Sequence, residues 1–306
     1  MMKYLFLIAA ATLALHPARA AAQRIAPDRS EVVADDGHHL VVWSRAPSTP
    51  SRGEIVLLHG RTWSALPNFD LQVAGLHESM MDALVAKGWT VYAVDQRGYG
   101  ATKRDRTGWL TPDRAARDAE EVCDWVASRS IEHRHPALFG YSRGSVTAML
   151  AAQKHPTKFS ALVLYGFYFN TDSIPPVPDE PESPPRTHTT AEGAAEDFLT
   201  PESTPRGVKE AYVRSATMLD PIRVDWRHEE QYNGLDPAKL KLPTLVINGE
   251  FDPYARGAGL PNFLSKISGI DRSWVVLAKS DHVAHLERQA EFVKALVDFL
   301  ERERGR

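Results

Sequence analysis

The sequence predicts an α/β fold built on a mostly parallel, doubly wound sheet. Three observations carry that prediction. Six short runs are apolar on both faces: Glu54–His59, Trp89–Asp95, Ala137–Tyr141, Ala161–Tyr165, Thr244–Asn248 and Ser273–Ala278. Strands buried on both sides of a parallel sheet have this character. Helix-like segments separate most of them, and strand–helix alternation is the pattern of such sheets. A chain of 306 residues, 43% of them apolar, suffices for a sizeable core.

Composition excludes several function classes. Lys and Arg number 36 against 39 Asp and Glu, so a nucleic-acid partner is not expected. Cys123 is the one cysteine, which rules out an internal disulfide framework. It falls in a helical pattern and reads as a small buried apolar residue.

The chain opens on Lys3, an uncharged run over Tyr4–Leu15, and small residues at Ala18–Ala22. This order reads as a secretory signal peptide over residues 1–22, cleaved after Ala20 or Ala22, giving a periplasmic or secreted protein. The run is too short to span a bilayer, so no integral membrane association is expected. Removing residues 1–22 takes away Lys3 and Arg19 and no acids, shifting the formal charge from −3 to −5.

Glu31–Ala34 and Leu40–Arg45 flank Asp35-Asp36-Gly37 and read as a hairpin. Helices are expected over Leu76–Lys87, stopped by Gly88, and from Thr111-Pro112-Asp113 to about Ser128. Further helices are expected over Arg143–Lys154 and Glu287–Glu301, the last with Phe292, Leu296, Phe299 and Leu300 on one face. Residues 171–243 contain no convincing apolar strand. They open on a proline-rich tether from Pro175 to Pro185 and continue with helix-like pieces around Ala191–Leu199 and Pro205–Leu219. We read this stretch as a helical lid inserted after the sixth core strand, with the core formed by residues 23–170 and 244–306.

Gly140-Tyr141-Ser142-Arg143-Gly144 fits G-x-S-x-G and sits between an apolar strand and a helix, the setting of a nucleophile elbow. The sharp turn leaves no room for side chains two residues either side of Ser142, which is why glycine stands at both places. A serine hydroxyl needs a base, and the base an orienting acid. Asp252 follows the strand Thr244–Asn248; Glu250 and Asp172 are alternatives. His282 follows the strand Ser273–Ala278, with His285 as a competitor. His59-Gly60-Arg61 follows the strand Glu54–His59, so the backbone N–H groups of Arg61 and Arg143 are the candidate oxyanion donors. The chain has no H-E-x-x-H and no Cys/His pair at ligand spacing, His133-Arg134-His135 reads as an exposed polar loop before a strand, and no metal or cofactor is expected.

The pieces HG at 59–60, D-x-R-G-x-G-x-T at Asp95–Thr102, GYSRG at 140–144, NGEFDP at 248–253 and DHVAHLE at 281–287 together resemble an α/β-hydrolase-fold enzyme of the esterase and lipase type. The resemblance implies Ser142 as nucleophile, His282 as base and Asp252 as acid, and gives the Asp95–Thr102 turn a structural role. Two positions depart from the commonest spelling of the family: Asp281 stands where glycine usually precedes the histidine, and Arg143 follows the nucleophile. The expected activity is hydrolysis of a small-molecule carboxylic ester through an acyl-enzyme. Thioester, lactone, peptide or carbon–carbon bond hydrolysis, cofactor-free perhydrolysis, and a non-catalytic ligand-binding role are the alternatives. Trp63, Tyr141, Phe167, Trp226 and Phe251 are the candidate pocket residues. The side chains of Arg61 and Arg143 are expected to pair with acids such as Asp70, Glu250 or Asp281 rather than with a substrate carboxylate.

Overall fold

The computed structural model describes residues 26–130, 134–167, 180–200, 203–255 and 259–304. The signal-peptide reading of residues 1–22, His133, Asp172 and the tether from Pro175 to Pro178 lie outside the described residues.

Eight strands form one sheet: β1 (Asp28–Val33), β2 (His39–Arg45), β3 (Glu54–Leu58), β4 (Thr90–Asp95), β5 (Ala137–Tyr141), β6 (Leu162–Tyr165), β7 (Thr244–Gly249) and β8 (Arg272–Leu277). Their spatial order is β1-β2-β4-β3-β5-β6-β7-β8. The hairpin β1–β2 joins β4 antiparallel, and every other pairing is parallel.

Alternation within the apolar runs explains why they are apolar throughout. Val56, Leu58, Leu138, Leu162, Leu164 and Val246 face one buried layer, which includes Val122, Met149 and Phe263. The residues between them, Ile55, Leu57, Phe139, Val163, Leu245 and Ile247, face the opposite layer with Met80, Leu84, Phe292 and Leu296. Both faces of the inner strands β3 to β7 are covered, so neither face tolerates a polar residue there. The edge strand β8, expected to be buried on both sides, instead leaves Trp274 and Val276 exposed, because among the described residues no further strand or layer covers it.

The helices are α1 (Ala65–Phe69), α2 (Met80–Ala86), α3 (Pro112–Ala127), α4 (Arg143–Lys154), α5 (Ala191–Ala195), α6 (Val208–Leu219), α7 (Gly259–Lys266), α8 (Ala284–Glu287) and α9 (Gln289–Arg304). The start of α3 follows its spelling: Thr111 accepts the N–H of Arg114 at 3.3 Å, with Pro112 in the first turn. α2 begins later than the expected Leu76. Ser79 caps it, accepting the N–H of Asp82 at 3.0 Å while donating to Asp70 at 2.5 Å. The expected helix over Glu287–Glu301 is divided, because the backbone of Arg288 leaves helical geometry between α8 and α9.

The stretch between β6 and β7 packs on the loops at the carboxyl edge of the sheet. Phe198, Val208, Tyr212 and Ala216 share a buried cluster with Trp63, Leu71, Val283 and Leu286. A two-residue strand pairing, Trp109–Leu110 beside Asp225–Trp226, ties this stretch to the segment preceding α3. The turn after β4 is held by Arg97, 1% exposed, which pairs with Asp118, Asp36 and Asp105 at 2.6–2.7 Å. Asp118 is buried, and burial raises its carboxyl pKa overall, with Arg97 offsetting part of that effect. The Asp95–Thr102 motif thus serves to fasten loops, as the family resemblance implies. Cys123 is fully buried in the core, where loss of hydration raises its thiol pKa.

Candidate active site

Ser142 stands at the end of β5 and opens α4 with φ 53° and ψ −119°. An L-residue is strained there, at a cost of about 1–3 kcal/mol. The glycines of the motif make the strain tolerable. A Cβ on Gly140 would lie 2.3 Å from the Gly144 carbonyl oxygen, and one on Gly144 would lie 2.5 Å from those of Leu58 and His59. The turn is also fastened from β6. The N–H of Ser142 donates to the Tyr165 carbonyl at 2.8 Å. The Ser145 hydroxyl donates to the Gly140 carbonyl at 2.6 Å and accepts the N–H of Tyr165 at 3.0 Å.

His282 follows β8 and is 3% exposed. Its Nδ1–H donates to Asp252 Oδ2 at 3.1 Å, which leaves Nε2 with the lone pair in the neutral ring. The ring lies 5.1 Å from that of Tyr141, the residue before Ser142, and Tyr254 meets it edge-on at 4.8 Å. Asp252, at the carboxyl end of β7, is fully buried. Burial depresses the imidazole pKa, but the bond to Asp252 and the charges of Asp252, Asp197 and Asp281 outweigh it and raise it overall. Ser142 Oγ makes no hydrogen bond among the described residues, so the serine–imidazole contact is open in this structure. Such contacts commonly tighten only when substrate binds.

The competing residues are placed elsewhere. His285 is fully buried, with Nδ1 2.9 Å from the Tyr165 hydroxyl, and burial lowers its pKa to about 3. The same hydroxyl donates to the His282 carbonyl at 2.7 Å, so the pair pins the backbone that carries His282. Glu250 accepts the N–H of Lys279 at 2.8 Å. Asp281 accepts the N–H of Thr200 at 2.5 Å and of Val283 at 3.1 Å, which gives a structural reason for its replacing the family's usual glycine.

Arg61 and Arg143 stand where two loops meet, and the N–H of Arg143 is among the unpaired donors of the first turn of α4. Neither N–H has a hydrogen-bond partner among the described residues. His59 supports the Arg61 loop from below. Its Nε2 accepts the N–H of Gln96 at 3.2 Å, so its proton is on Nδ1, donated to the Gly60 carbonyl at 2.9 Å. Burial lowers its pKa to about 4, which keeps it neutral. Above it, Tyr99 donates its hydroxyl to the Arg61 carbonyl and accepts the indole N–H of Trp226 at 2.9 Å.

Both arginine side chains pair with one acid, Glu229. Arg61 meets it with two parallel bonds of 2.7 Å, and Arg143 Nη1 meets Oε2 at 2.7 Å. Structural pairing was expected, but with Asp70, Glu250 or Asp281. Asp70 is held instead by Arg45 at 2.9 Å and by Ser79. Glu229 carries no local signal in the sequence, since it lies 168 residues from Arg61 and nothing in its neighbours marks it out.

The pocket candidates separate into two groups. Phe167 is fully buried against Phe263, at 4.9 Å between rings, and is a core packing residue rather than a pocket wall. Trp63 is buried in the cluster with α6, and Trp226 is engaged with Tyr99. Tyr141 lies beneath His282, and Phe251 is 37% exposed at the end of β7.

The three histidines should titrate apart. In a ring-proton NMR titration, His282 should protonate above the ordinary value of about 6.5, while His59 and His285 should stay neutral to below pH 5. Asp252→Asn removes what outweighs burial, so the His282 midpoint should move down. A midpoint unmoved by Asp252→Asn would show that the pairing does not govern the imidazole.

The chain is similar to several known proteins. Residues 49–289 match the family described as serine aminopeptidase, S33. The serine hydrolase BPHL of Mus musculus is 22% identical over 271 residues, covering 81% of this chain and 79% of that protein. A monoacylglycerol lipase of Mycolicibacterium smegmatis is 28% identical over 141 residues, covering 44% and 45%. Among solved structures, a thermophilic esterase from Thermogutta terrifontis superposes with a TM-score of 0.64 at 18% identity, covering 90% of this chain and 99% of that one. With its sheet order, its serine elbow and a family match over most of its length, the chain belongs to the serine aminopeptidase S33 family and is an α/β-hydrolase-fold serine hydrolase.

Proposed function

We propose that this enzyme hydrolyses a carboxylic ester of a small molecule through a Ser142–His282–Asp252 triad. The observation that carries the proposal is the buried Asp252–His282 bond beside the strained serine turn. Ser142 Oγ attacks the ester carbonyl carbon while His282 Nε2 takes its proton. The carbonyl oxygen becomes negative and is received by the N–H groups of Arg61 and Arg143. His282 then protonates the departing alcohol, leaving an acyl group on Ser142. A water molecule, deprotonated by His282, releases the acid and restores the hydroxyl. Asp252 holds the imidazole in the tautomer this sequence needs and stabilises its protonated form.

Ester substrates are favoured because the similar proteins include a monoacylglycerol lipase and an esterase. The same triad acts on thioesters, lactones and peptides, and a panel of these beside simple esters ranks them. Phe251, exposed at the end of β7, supplies aromatic surface suited to an apolar acyl or alcohol group.

Export through residues 1–22 is part of the proposal, supported by the order of basic, apolar and small residues. Amino-terminal sequencing of the processed protein should begin after Ala20 or Ala22. A cytoplasmic protein retaining Lys3 would overturn it. For the chemistry, Ser142→Ala should lower the turnover of a short-chain p-nitrophenyl ester by about 10⁴-fold or more. Wild-type enzyme should be labelled at Ser142 by a fluorophosphonate. Ester hydrolysis that survives Ser142→Ala would remove the triad reading.

A further inference from the structure

We propose that Glu229 is a positioning residue for the oxyanion hole: one carboxylate from the inserted stretch sets the spacing of the two N–H donors by holding both arginines. The inference rests on the triad reading and its assignment of the donors to Arg61 and Arg143.

The geometry is unusual in what it connects. The donor residues come from different elements, Arg61 from the loop after β3 and Arg143 from the start of α4. Their side chains converge on the same carboxylate at 2.7 Å. The Arg61 pairing is bidentate, which fixes direction as well as distance. Glu229 is itself fastened close by. Tyr232, three residues on and in the same short helical turn, is buried, bonds Thr147 of α4 at 2.7 Å, and lies beneath the Arg143 guanidinium at 5.3 Å. Upstream in the same stretch, Trp226 reaches the Arg61 carbonyl through Tyr99. Asp220 accepts the N–H of Ser64, in the same loop as Arg61, at 2.8 Å.

Removing the acid leaves two partly buried guanidinium groups facing one another with no counter-charge. Burial works against the charge of Arg61, and Glu229 is what offsets it. Like charges at such range repel, and the two backbones that carry the donors would be pushed apart. Preorganised donors matter because the developing charge appears at one point in space. A displacement of about 1 Å can cost on the order of 10²-fold in rate.

The side chain of Glu229 points to arginines rather than to the reacting atoms, so its loss should act on kcat. Glu229→Gln should lower kcat on the order of 10–100-fold with KM within two-fold. Affinity for phenylboronic acid, which forms a tetrahedral adduct on the serine, should fall in parallel. A role in stability alone would lower the melting temperature and leave boronate affinity and kcat unchanged in the folded fraction; that outcome overturns the proposal. A rise in KM at constant kcat also overturns it, because Glu229 would then act on substrate binding. If Glu229→Gln does not fold, Arg61→Met breaks the bidentate pair, keeps the backbone N–H and leaves Glu229 paired with Arg143; the same readouts apply. Failure of the underlying reading is separate, since wild-type enzyme would then neither bind the boronate nor be labelled at Ser142.

Discussion

The positive φ of Ser142 is the constraint on which the rest of the site depends. A serine in ordinary helical or extended geometry would lie along the sheet edge or within α4. The sharp turn lifts its hydroxyl above the edge at the start of a helix. Holding that turn requires backbone packed against backbone, with Gly144 meeting the carbonyls of Leu58 and His59 and Gly140 meeting Gly144. β3 and β6 therefore flank β5 closely, and the bond from Ser142 N–H to the Tyr165 carbonyl locks the arrangement. The loops after β3, β7 and β8 then bring Arg61, Asp252 and His282 towards one point because parallel strands end on the same edge.

Charge is distributed around that point with clear separation. One histidine faces an acid and has its pKa raised; two others are buried without a carboxylate partner and have theirs lowered, to about 4 and about 3. Of these three imidazoles, only that of His282 is held above its ordinary pKa, while the other two serve as neutral hydrogen-bonding groups. On the opposite side, Arg61 and Arg143 are balanced by Glu229. The two departures from the family's commonest spelling have a common explanation. Arg143 pairs with Glu229, and Asp281 accepts the N–H of Thr200, so both are places where the stretch between β6 and β7 grips the core.

Six of the eight strands were legible from their apolar runs, and the hairpin β1–β2 from the turn chemistry of Asp35-Asp36-Gly37 between them. Ser142, Asp252 and His282 were legible from their place after strands, and the structure brings the last two into contact. What escaped was short or distant. α1 is five residues with no polar-apolar period, and α7 falls in a stretch whose glycines weaken any helical reading. The pairing of Trp109–Leu110 with Asp225–Trp226 is two residues long, too short to carry a pattern. Phe167 resembled a pocket residue because it follows β6 at the carboxyl edge, but its ring turns inward to Phe263. The partners of Arg61 and Arg143 could not be chosen by sequence proximity, since Glu229 is brought to them only by the packing of the intervening stretch.

The most direct measurement is to trap the intermediate. A short-chain ester is mixed with enzyme, the reaction is quenched in acid before the steady state is left, and the digested protein is mapped by mass. An acyl increment on the peptide carrying Ser142, absent when Asp252→Asn is mixed and quenched on the same timescale, is the predicted result. Ester turnover with Ser142 unmodified, or with the acyl group on another residue, would contradict the account.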